Sequence, residues 1–542
     1  MTDLRVKKIK FIMDEAHIIP TALVFAIALI LTVLVLLIVG VSQSRFRFLR
    51  EPLTIISSWT NLTENTLSGF NKFSKVFNTP FILPTTWASN SRLVILPPSQ
   101  LHTIMNKPES ELTAFWALIE HLMLQYFIDI SVFDNLIHFD VSKKDLSRAN
   151  VHRQAASTAE EIELAFGDIW GGHSTHGDKD GNEKPGKAEW KYVNGWEACT
   201  RVILRVGMRT LVGEEMCRDE NLLRQTELFS NALFGGVAIL HCTPTIFRGF
   251  VGAIVGLPTR WYGWKCSRIF IPLVKERLRL WKAREVAVGR GEKVDDLPND
   301  FLQWLIARCA SHGPEHLDPH KITTRMLALN TMFVFAMGYV FAHAVIDLCV
   351  SPNRDEFFAG LEEECIKLLA QHPGGLADRD LIDKLYRADS TLRESMRLSA
   401  ISVVSLPRDV VGQPLDIGNG MFVPAGTRIA FPTLHMQLDP DLYQDAGRFD
   451  AFRFSRPAEE SPGEEHKQDL MYTPTPGFLP FGYGRKACPG RWYVSQTVKQ
   501  ALAYLALHYD VELVGPGPER KALLNTMIPP TGTQLRIRRK EV

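Results

Sequence analysis

Ten residues near the C-terminal end, Phe481-Gly-Tyr-Gly-Arg-Lys-Ala-Cys-Pro-Gly490, have the types and spacing to do chemistry. Gly482 and Gly484 let the backbone turn tightly and approach a flat partner. Pro489 and Gly490 suit the entry to a following helix, whose first N–H groups point back at an anion. A cysteine at that point is placed to act as a thiolate: it pushes electron density onto iron, and N–H donors aimed at the sulfur tune and protect it. Phe481 is placed to cover the sulfur from water. A lone cysteine in a glycine-rich turn is ordinarily a core thiol, and it is the whole ten-residue pattern that sets Cys488 apart.

The segment resembles the haem-binding loop of the cytochrome P-450 family, Phe-x-x-Gly-x-Arg-x-Cys-x-Gly. Phe481, Gly484, Cys488 and Gly490 match it, and Lys486 stands where the family has Arg or His. The resemblance implies Cys488 as the axial ligand of a haem b iron. It also implies a cofactor shell of Phe481, Gly484, Arg485, Lys486 and Gly490, with Arg408 toward a propionate. Lys486 would meet a propionate as a point charge, without the fork of an arginine.

Glu394-Ser-Met-Arg397 resembles the family's Glu-x-x-Arg helix. The same spacing at Glu276 and Arg279 is the ordinary surface pair of residues one turn apart, so context separates the two. Phe449-Asp-Ala-Phe-Arg-Phe454 is similar to the family's Phe-x-Pro-x-Arg-Phe stretch, with Ala451 in the place of Pro. By resemblance Arg453 joins Glu394 and Arg397 in a buried cluster whose job is to hold the core beneath the haem.

Family members carry an acid or amide followed by Thr on a central helix above the haem. Counting back from Glu394 puts Phe335-Ala336 there, with neither an acid nor a hydroxyl. Thr331, one turn earlier, is the nearest group able to hold a water, so Thr331, Phe335 and Ala336 are expected in the pocket over the haem. The resemblance implies a monooxygenase: O2, electrons from NADPH through a reductase, and hydroxylation, epoxidation or multi-step oxidation of a lipophilic small molecule. The apolar central helix points to a terpenoid or polyketide. The phrases around Arg453 and Ala487-Cys-Pro-Gly-Arg491 are nearest in character to fungal enzymes of secondary metabolism. The missing acid–hydroxyl pair keeps open a reductase-independent isomerase or lyase of the same fold.

The elements that must position these residues are mainly helical. Leu381, Leu385, Ala388, Leu392 and Met396 repeat at helical spacing over Leu381–Leu398. Val403–Phe431 holds short β-branched runs cut by Gly and Pro, the mark of a minor sheet region. A helix is expected again over Tyr493–His508, then a hairpin-like tail, whose turn near Ile528-Pro-Pro530 would by resemblance touch the substrate pocket. Gly171–Gly186 and Ala283–Asp300 read as solvated connections. The 542 residues, 46% of them hydrophobic, suffice for one large core, and a formal net charge of +1 gives no sign of a polyanion such as nucleic acid as a partner. The seven cysteines before Cys488 form no C-x-x-C pair and are expected as buried or partly buried free thiols.

Ile18–Val41 has no charged residue and is long enough to cross a bilayer, which takes roughly 20 helical residues. It is expected as an uncleaved transmembrane anchor between a tail (1–17) and a linker (42–60), with a catalytic domain over 61–542. By resemblance the protein belongs in the endoplasmic reticulum membrane with that domain facing the cytosol. Met326–Ile346 is also free of charge, and sequence alone leaves a second span and a buried central helix equally open. Phe229–Trp264, apolar and broken by glycine and proline, is either core or, by resemblance, the roof of an access channel near the membrane.

Overall fold

The computed structural model describes residues 61–85, 92–171, 189–294, 296–418, 420–460 and 469–541. The expected tail, anchor and linker lie outside these residues, as does most of the Gly171–Gly186 loop.

The fold is mainly helical with a minor sheet region. Its principal helices are α1 (Ala155–Trp170), α2 (Gly195–Val212), α3 (Glu220–Cys242), α4 (Arg248–Gly289), α5 (Phe301–His312), α6 (Pro319–Val350), α7 (Arg354–Leu369), α8 (Tyr386–Leu398) and α9 (Arg491–His508). Their starts are set locally. The carboxylate of Asp219 accepts the Leu222 N–H at 2.6 Å, Asp300 accepts that of Gln303 at 2.9 Å, and Asn194 accepts that of Glu197 at 3.0 Å. Each side chain satisfies a donor that the first turn leaves without a partner.

Helix α6 is the axis of the molecule. Asp318 caps it, Pro319 sits where a missing N–H costs nothing, and 76% of its most apolar window is buried within the fold. Its apolar length is therefore explained by packing against α2, α4 and α8, and of the two readings of Met326–Ile346 the structure has the buried central helix. A helix hydrophobic all round is what such a position requires.

Two expectations need correction. Leu381–Leu398 is not one helix: a short turn, Arg379–Asp383, ends before α8 begins at Tyr386. Leu381, Leu385, Ala388, Leu392 and Met396 are nonetheless all buried, because the break keeps the helical phase. The solvated connection expected over Ala283–Asp300 starts later, since α4 runs on to Gly289. Its last turns are charged enough to read as loop yet carry no residue that stops a helix.

The main sheet takes β1 (Phe81–Pro84), β2 (Arg92–Ile95), β3 (Leu112–Thr113), β5 (Ser405–Val410) and β8 (Arg428–Phe431), while β4 (Lys191–Asn194), β6 (Leu415–Asp416) and β7 (Phe422–Val423) lie outside it. Its order is β1-β2-β8-β5-β3, with β2 and β8 parallel (Val94 opposite Ile429) and the other pairs antiparallel. β6 and β7 form a separate hairpin. At the C-terminal end, β12 (Gln534–Arg539) pairs with both β9 (Tyr509–Val514) and β4, and β10 (Ala522–Leu523) turns back on β11 (Thr526–Met527). The closing hairpins are as expected.

Candidate active site

The cysteine loop is built from its own backbone. The Cys488 N–H donates to the Phe481 carbonyl at 2.7 Å, closing the loop. Between them Gly482 (φ 76°) and Gly484 (φ 68°) adopt the left-handed conformation that glycine accepts without strain. At Gly484 a Cβ would also lie 3.1 Å from the Asn106 carboxamide oxygen and 3.3 Å from the Met105 carbonyl. The loop ends at Gly490, and α9 starts one residue later.

That start matters to the sulfur. Burial pushes the Cys488 thiol up from its ordinary pKa, and three features oppose it: the Gly490 amide N–H, the charge of Arg491 and the Arg491 amide N–H. Two backbone donors and a cation converge on one sulfur, as a thiolate ligand requires. Phe481 is buried beside it. The Arg491 guanidinium is held by the Cys488 carbonyl at 2.7 Å and lies 3.6 Å from the Trp492 ring centroid.

Across from the loop stands α6. The Phe333 ring stacks on Tyr493 of α9, with centroids 5.0 Å apart, and reaches 3.4 Å from where a Cβ of Gly490 would be. The central helix thus faces the cysteine loop through Phe333. Phe335 points elsewhere: its ring packs against Phe234 of α3 at 4.2 Å. Thr331 is buried and its hydroxyl donates to the Leu327 carbonyl of its own helix at 3.0 Å. Ala336 is half-buried. Phe333, Thr331 and Phe335 differ in direction because a helix advances about 100° per residue; the alignment by spacing alone missed this phase and so missed Phe333.

Arg408 lies on β5, the strand whose Leu406 packs against the loop, just past an irregularity in its pairing. The pairing with β8 shifts between Ser405 and Arg408, and Leu406 takes φ 60°. A bulge of this kind re-aims the next side chains at the cost of local strain, about 1–2 kcal/mol for a left-handed residue other than glycine. Leu406 packs 3.8 Å from the Cβ position of Gly482. Arg408 is buried, has no carboxylate within 4 Å among the described residues, and donates only to the Pro407 carbonyl at 2.8 Å. Burial pushes its pKa down, with only the charge of Glu109 pulling it back. A buried guanidinium without a counter-ion is costly, and a haem propionate is the partner its setting fits.

Lys486 has a carboxylate partner of its own. Its ammonium pairs with Glu109 at 2.8 Å, and both side chains are about half exposed at 51% and 42%. Arg485 is exposed beside it. The short 3-10 turn over Gly484–Lys486 rotates both cations outward.

Beneath the loop, the Glu394–Arg397–Arg453 cluster is assembled as expected. Arg397 grips Glu394 through two bonds of 2.7 and 2.8 Å, and Arg453 adds a third at 3.0 Å. Glu394 and Arg397 have no exposed side-chain surface. Arg397 also donates to the Gln437 and Ala446 carbonyls. Two members escaped the sequence reading. Gln437 donates to the Arg397 carbonyl at 3.0 Å and accepts the Leu479 N–H at 2.9 Å, tying the cluster to the segment entering the cysteine loop. Arg393 lies 4.0 Å from the Phe478 ring centroid and donates to the Leu470 and Thr473 carbonyls. Neither belongs to a short motif, so neither carries a local signal.

A half-buried cysteine just before a helix start, two amides on its sulfur, and a buried arginine without a carboxylate partner on the strand that packs against its loop are the features of a haem-thiolate site. The comparisons agree. The cytochrome P-450 family model matches residues 356–537. The chain is 30% identical over 520 residues to the cytochrome P-450 monooxygenase gloP of Glarea lozoyensis, covering 93% of this chain and 90% of that protein. It is 31% identical over 494 residues to the cytochrome P-450 monooxygenase htyF of Aspergillus rugulosus, covering 87% and 68%. It is 26% identical to the cytochrome P-450 monooxygenase okaG of Penicillium ochrochloron, over 90% of each chain. The chain belongs to the cytochrome P-450 family.

Proposed function

We propose that the protein is a haem-thiolate monooxygenase that inserts one atom of O2 into a lipophilic small molecule, a terpenoid or polyketide of secondary metabolism, with electrons from NADPH through a reductase. The observation that carries the reading is the Cys488 sulfur under the Gly490 and Arg491 amides. Haem bound there supplies the activation of dioxygen, with the thiolate favouring O–O cleavage. Cys488 would hold the iron and Arg408 a propionate. Phe481 excludes water from the sulfur, and the two amides hold its charge. The Glu394–Arg397–Arg453 cluster and Gln437 keep the loop in register. The test is NADPH- and reductase-dependent oxygen incorporation from 18O2 when the full-length protein is supplied with extracts of its source; oxidation without NADPH would overturn the reading.

A second reading keeps the haem and drops the reductase. Phe335 and Ala336 offer no proton donor, and the Thr331 hydroxyl is engaged by its own helix. Both facts favour an isomerase or lyase that rearranges an already activated substrate. Turnover in the absence of NADPH, with no uptake of O2, would select it.

We also infer attachment to the endoplasmic reticulum membrane by Ile18–Val41, with the catalytic domain facing the cytosol. A stripe on the first part of α4 supports contact with a lipid surface. Phe250 (68% exposed), Ile254, Leu257 (58%), Trp261 and Trp264 recur every three or four residues, next to Ile246 at 84%. Lys265 and Arg268 lie over the Trp261 and Trp264 rings, the aromatic and basic border typical of a membrane interface. This supports the membrane side of the two readings of Phe229–Trp264. Flotation of an anchor-deleted protein with liposomes tests it, and a Phe250→Ser, Trp261→Ser double variant should release it.

A further inference from the structure

One stretch of backbone lies hard against both α3 and α4, and glycines make the room. A Cβ at Gly236 would meet the Phe127 ring, and one at Gly256 the Tyr126 carbonyl oxygen, both at 2.5 Å; at Gly252 it would overlap the Tyr126 ring. Arg260 of α4 donates to the same Tyr126 carbonyl at 3.3 Å. The stretch follows a short helix, Phe115–His121. Met123 takes φ 49° on the way, a left-handed conformation that costs about 1–2 kcal/mol and that release of the segment would relieve.

Two histidines close the near end of this joint. His121 ends the short helix, His241 stands in the last turn of α3, and their ring centroids are 5.2 Å apart. The His241 Nε2–H donates to the His121 carbonyl at 2.7 Å, a bond that the neutral ring makes as well as the charged one. Two arginines and two carboxylates already surround the pair. Arg428 of β8 holds Asp409 of β5 and Glu120 of the short helix, at 2.7 Å each. Arg248, buried at the start of α4, draws on the same Glu120 and on Tyr126. Two protonated imidazoles would add two charges in excess to that setting, which burial penalises. Burial accordingly holds His121 down from 6.5 to about 3, with His241 and Arg428 adding to it. Burial and Arg248 hold His241 down to about 4, against the pull of the His121 carbonyl.

Apolar side chains flank the joint on both partners: Trp116 and Leu118 on the short helix, Ile246 and Phe250 on the α3–α4 hairpin, all exposed. The hairpin in turn covers the central helix, through Phe234 on Phe335. We propose that His121 and His241 form an acid-sensitive latch: neutral, they hold the 121–128 segment against the α3–α4 hairpin, and protonated, they part the two and open a way for a lipophilic molecule toward the haem pocket. A released histidine has the ordinary value and a latched one lies far below it. Closure is therefore fully favoured above about pH 6.5 and weakens as pH falls, about tenfold per histidine at about pH 5.5. The entry role rests on the reading of the site as a haem pocket for a lipophilic substrate; the latch itself does not.

Hydrogen–deuterium exchange of the full-length protein tests the latch. After correction for the intrinsic pH dependence of exchange, protection of 121–128 should fall at least about tenfold relative to α9 between about pH 7.5 and about pH 5.5. His121→Gln and His241→Gln should each remove part of that change, and the double variant nearly all of it. Gly256→Ala, which sets a carbon against the Tyr126 carbonyl, should lower protection at both pH values. Protection that does not move with pH in the wild type, or that moves as far in the double variant, overturns the latch. Entry is read in the holoenzyme by the rate at which a lipophilic triazole, which does not titrate in this range, ligates the iron. That rate should rise in acid in the wild type and stay level in the double variant. Acid release of 121–128 with an unchanged triazole rate overturns the entry role. A folded protein that binds no haem overturns the haem reading and the entry role together, and exchange alone then decides the latch.

Discussion

Glu394 and Arg397 meet through two parallel hydrogen bonds of 2.7 and 2.8 Å, with neither side chain exposed. Removing one partner leaves a buried charge, which costs about 3–5 kcal/mol. Glu394→Ala and Arg397→Ala are therefore expected to lose soluble, haem-loaded protein. Arg397→Lys should not rescue it, because a lysine cannot span both carboxylate oxygens and the Gln437 and Ala446 carbonyls at once. Urea unfolding of whatever folds measures the loss.

Gln437 should matter nearly as much as a member of the cluster. Gln437→Leu removes the link between the Arg397 carbonyl and the Leu479 N–H, stranding both in a buried setting at about 1–3 kcal/mol. Lower haem occupancy with preserved helical circular dichroism is the expected outcome. A variant with wild-type occupancy and stability would show that the tie is dispensable.

The two cations near the loop should separate cleanly. Arg408→Ala is expected to cut the haem-to-protein ratio, and Arg408→Lys to restore it in part. Lys486→Ala should leave that ratio unchanged and alter stability by less than about 1 kcal/mol, since an exposed pair contributes little. Equal effects of the two substitutions would contradict the placement of Lys486 on Glu109.

How much of this was legible in the sequence depends on how far apart the cooperating residues lie. Cys488 and its glycines act within one short loop, so their spacing carried the site. Glu394, Arg397 and Arg453 sit in two recognisable local patterns, and the structure joins them. The Glu109 partner of Lys486 lies far earlier in the chain and left no local signal. Phe333 was missed because a helix's phase toward a distant loop is set by packing of α6 against α2, α4 and α8, which no local pattern encodes. Gln437 and Arg393 do their work through backbone carbonyls and amides of segments tens of residues away, and such partners leave no mark on residue types. The charge-free run in α6 was ambiguous for a plain reason: a bilayer and a protein core ask the same composition of a helix.

Two buried carboxyls set the pH response. Burial raises Glu364 from 4.5 to about 7, although the Arg387 and Ala388 amides at the start of α8 pull it down. Burial likewise raises Asp347 from 3.8 to about 6 against the pull of Arg520 and Ser395. A carboxyl whose folded value is raised binds its proton more tightly when folded. It contributes stability below its unfolded value that is lost as pH climbs through the folded one. Stability from these two groups should thus decline between about pH 4 and 7. Glu364→Gln should flatten the dependence of Tm on pH in that window, and an unchanged slope would count against it.

The central claim is that Cys488 holds a haem iron as a thiolate. The direct measurement is the absorption spectrum of the purified, reduced protein with carbon monoxide, beside a Cys488→Ser control. A red-shifted Soret band in the wild type, absent from the folded control, is the expected result. A folded wild-type protein that binds no haem, or that gives the unshifted band of a neutral ligand, would contradict the account.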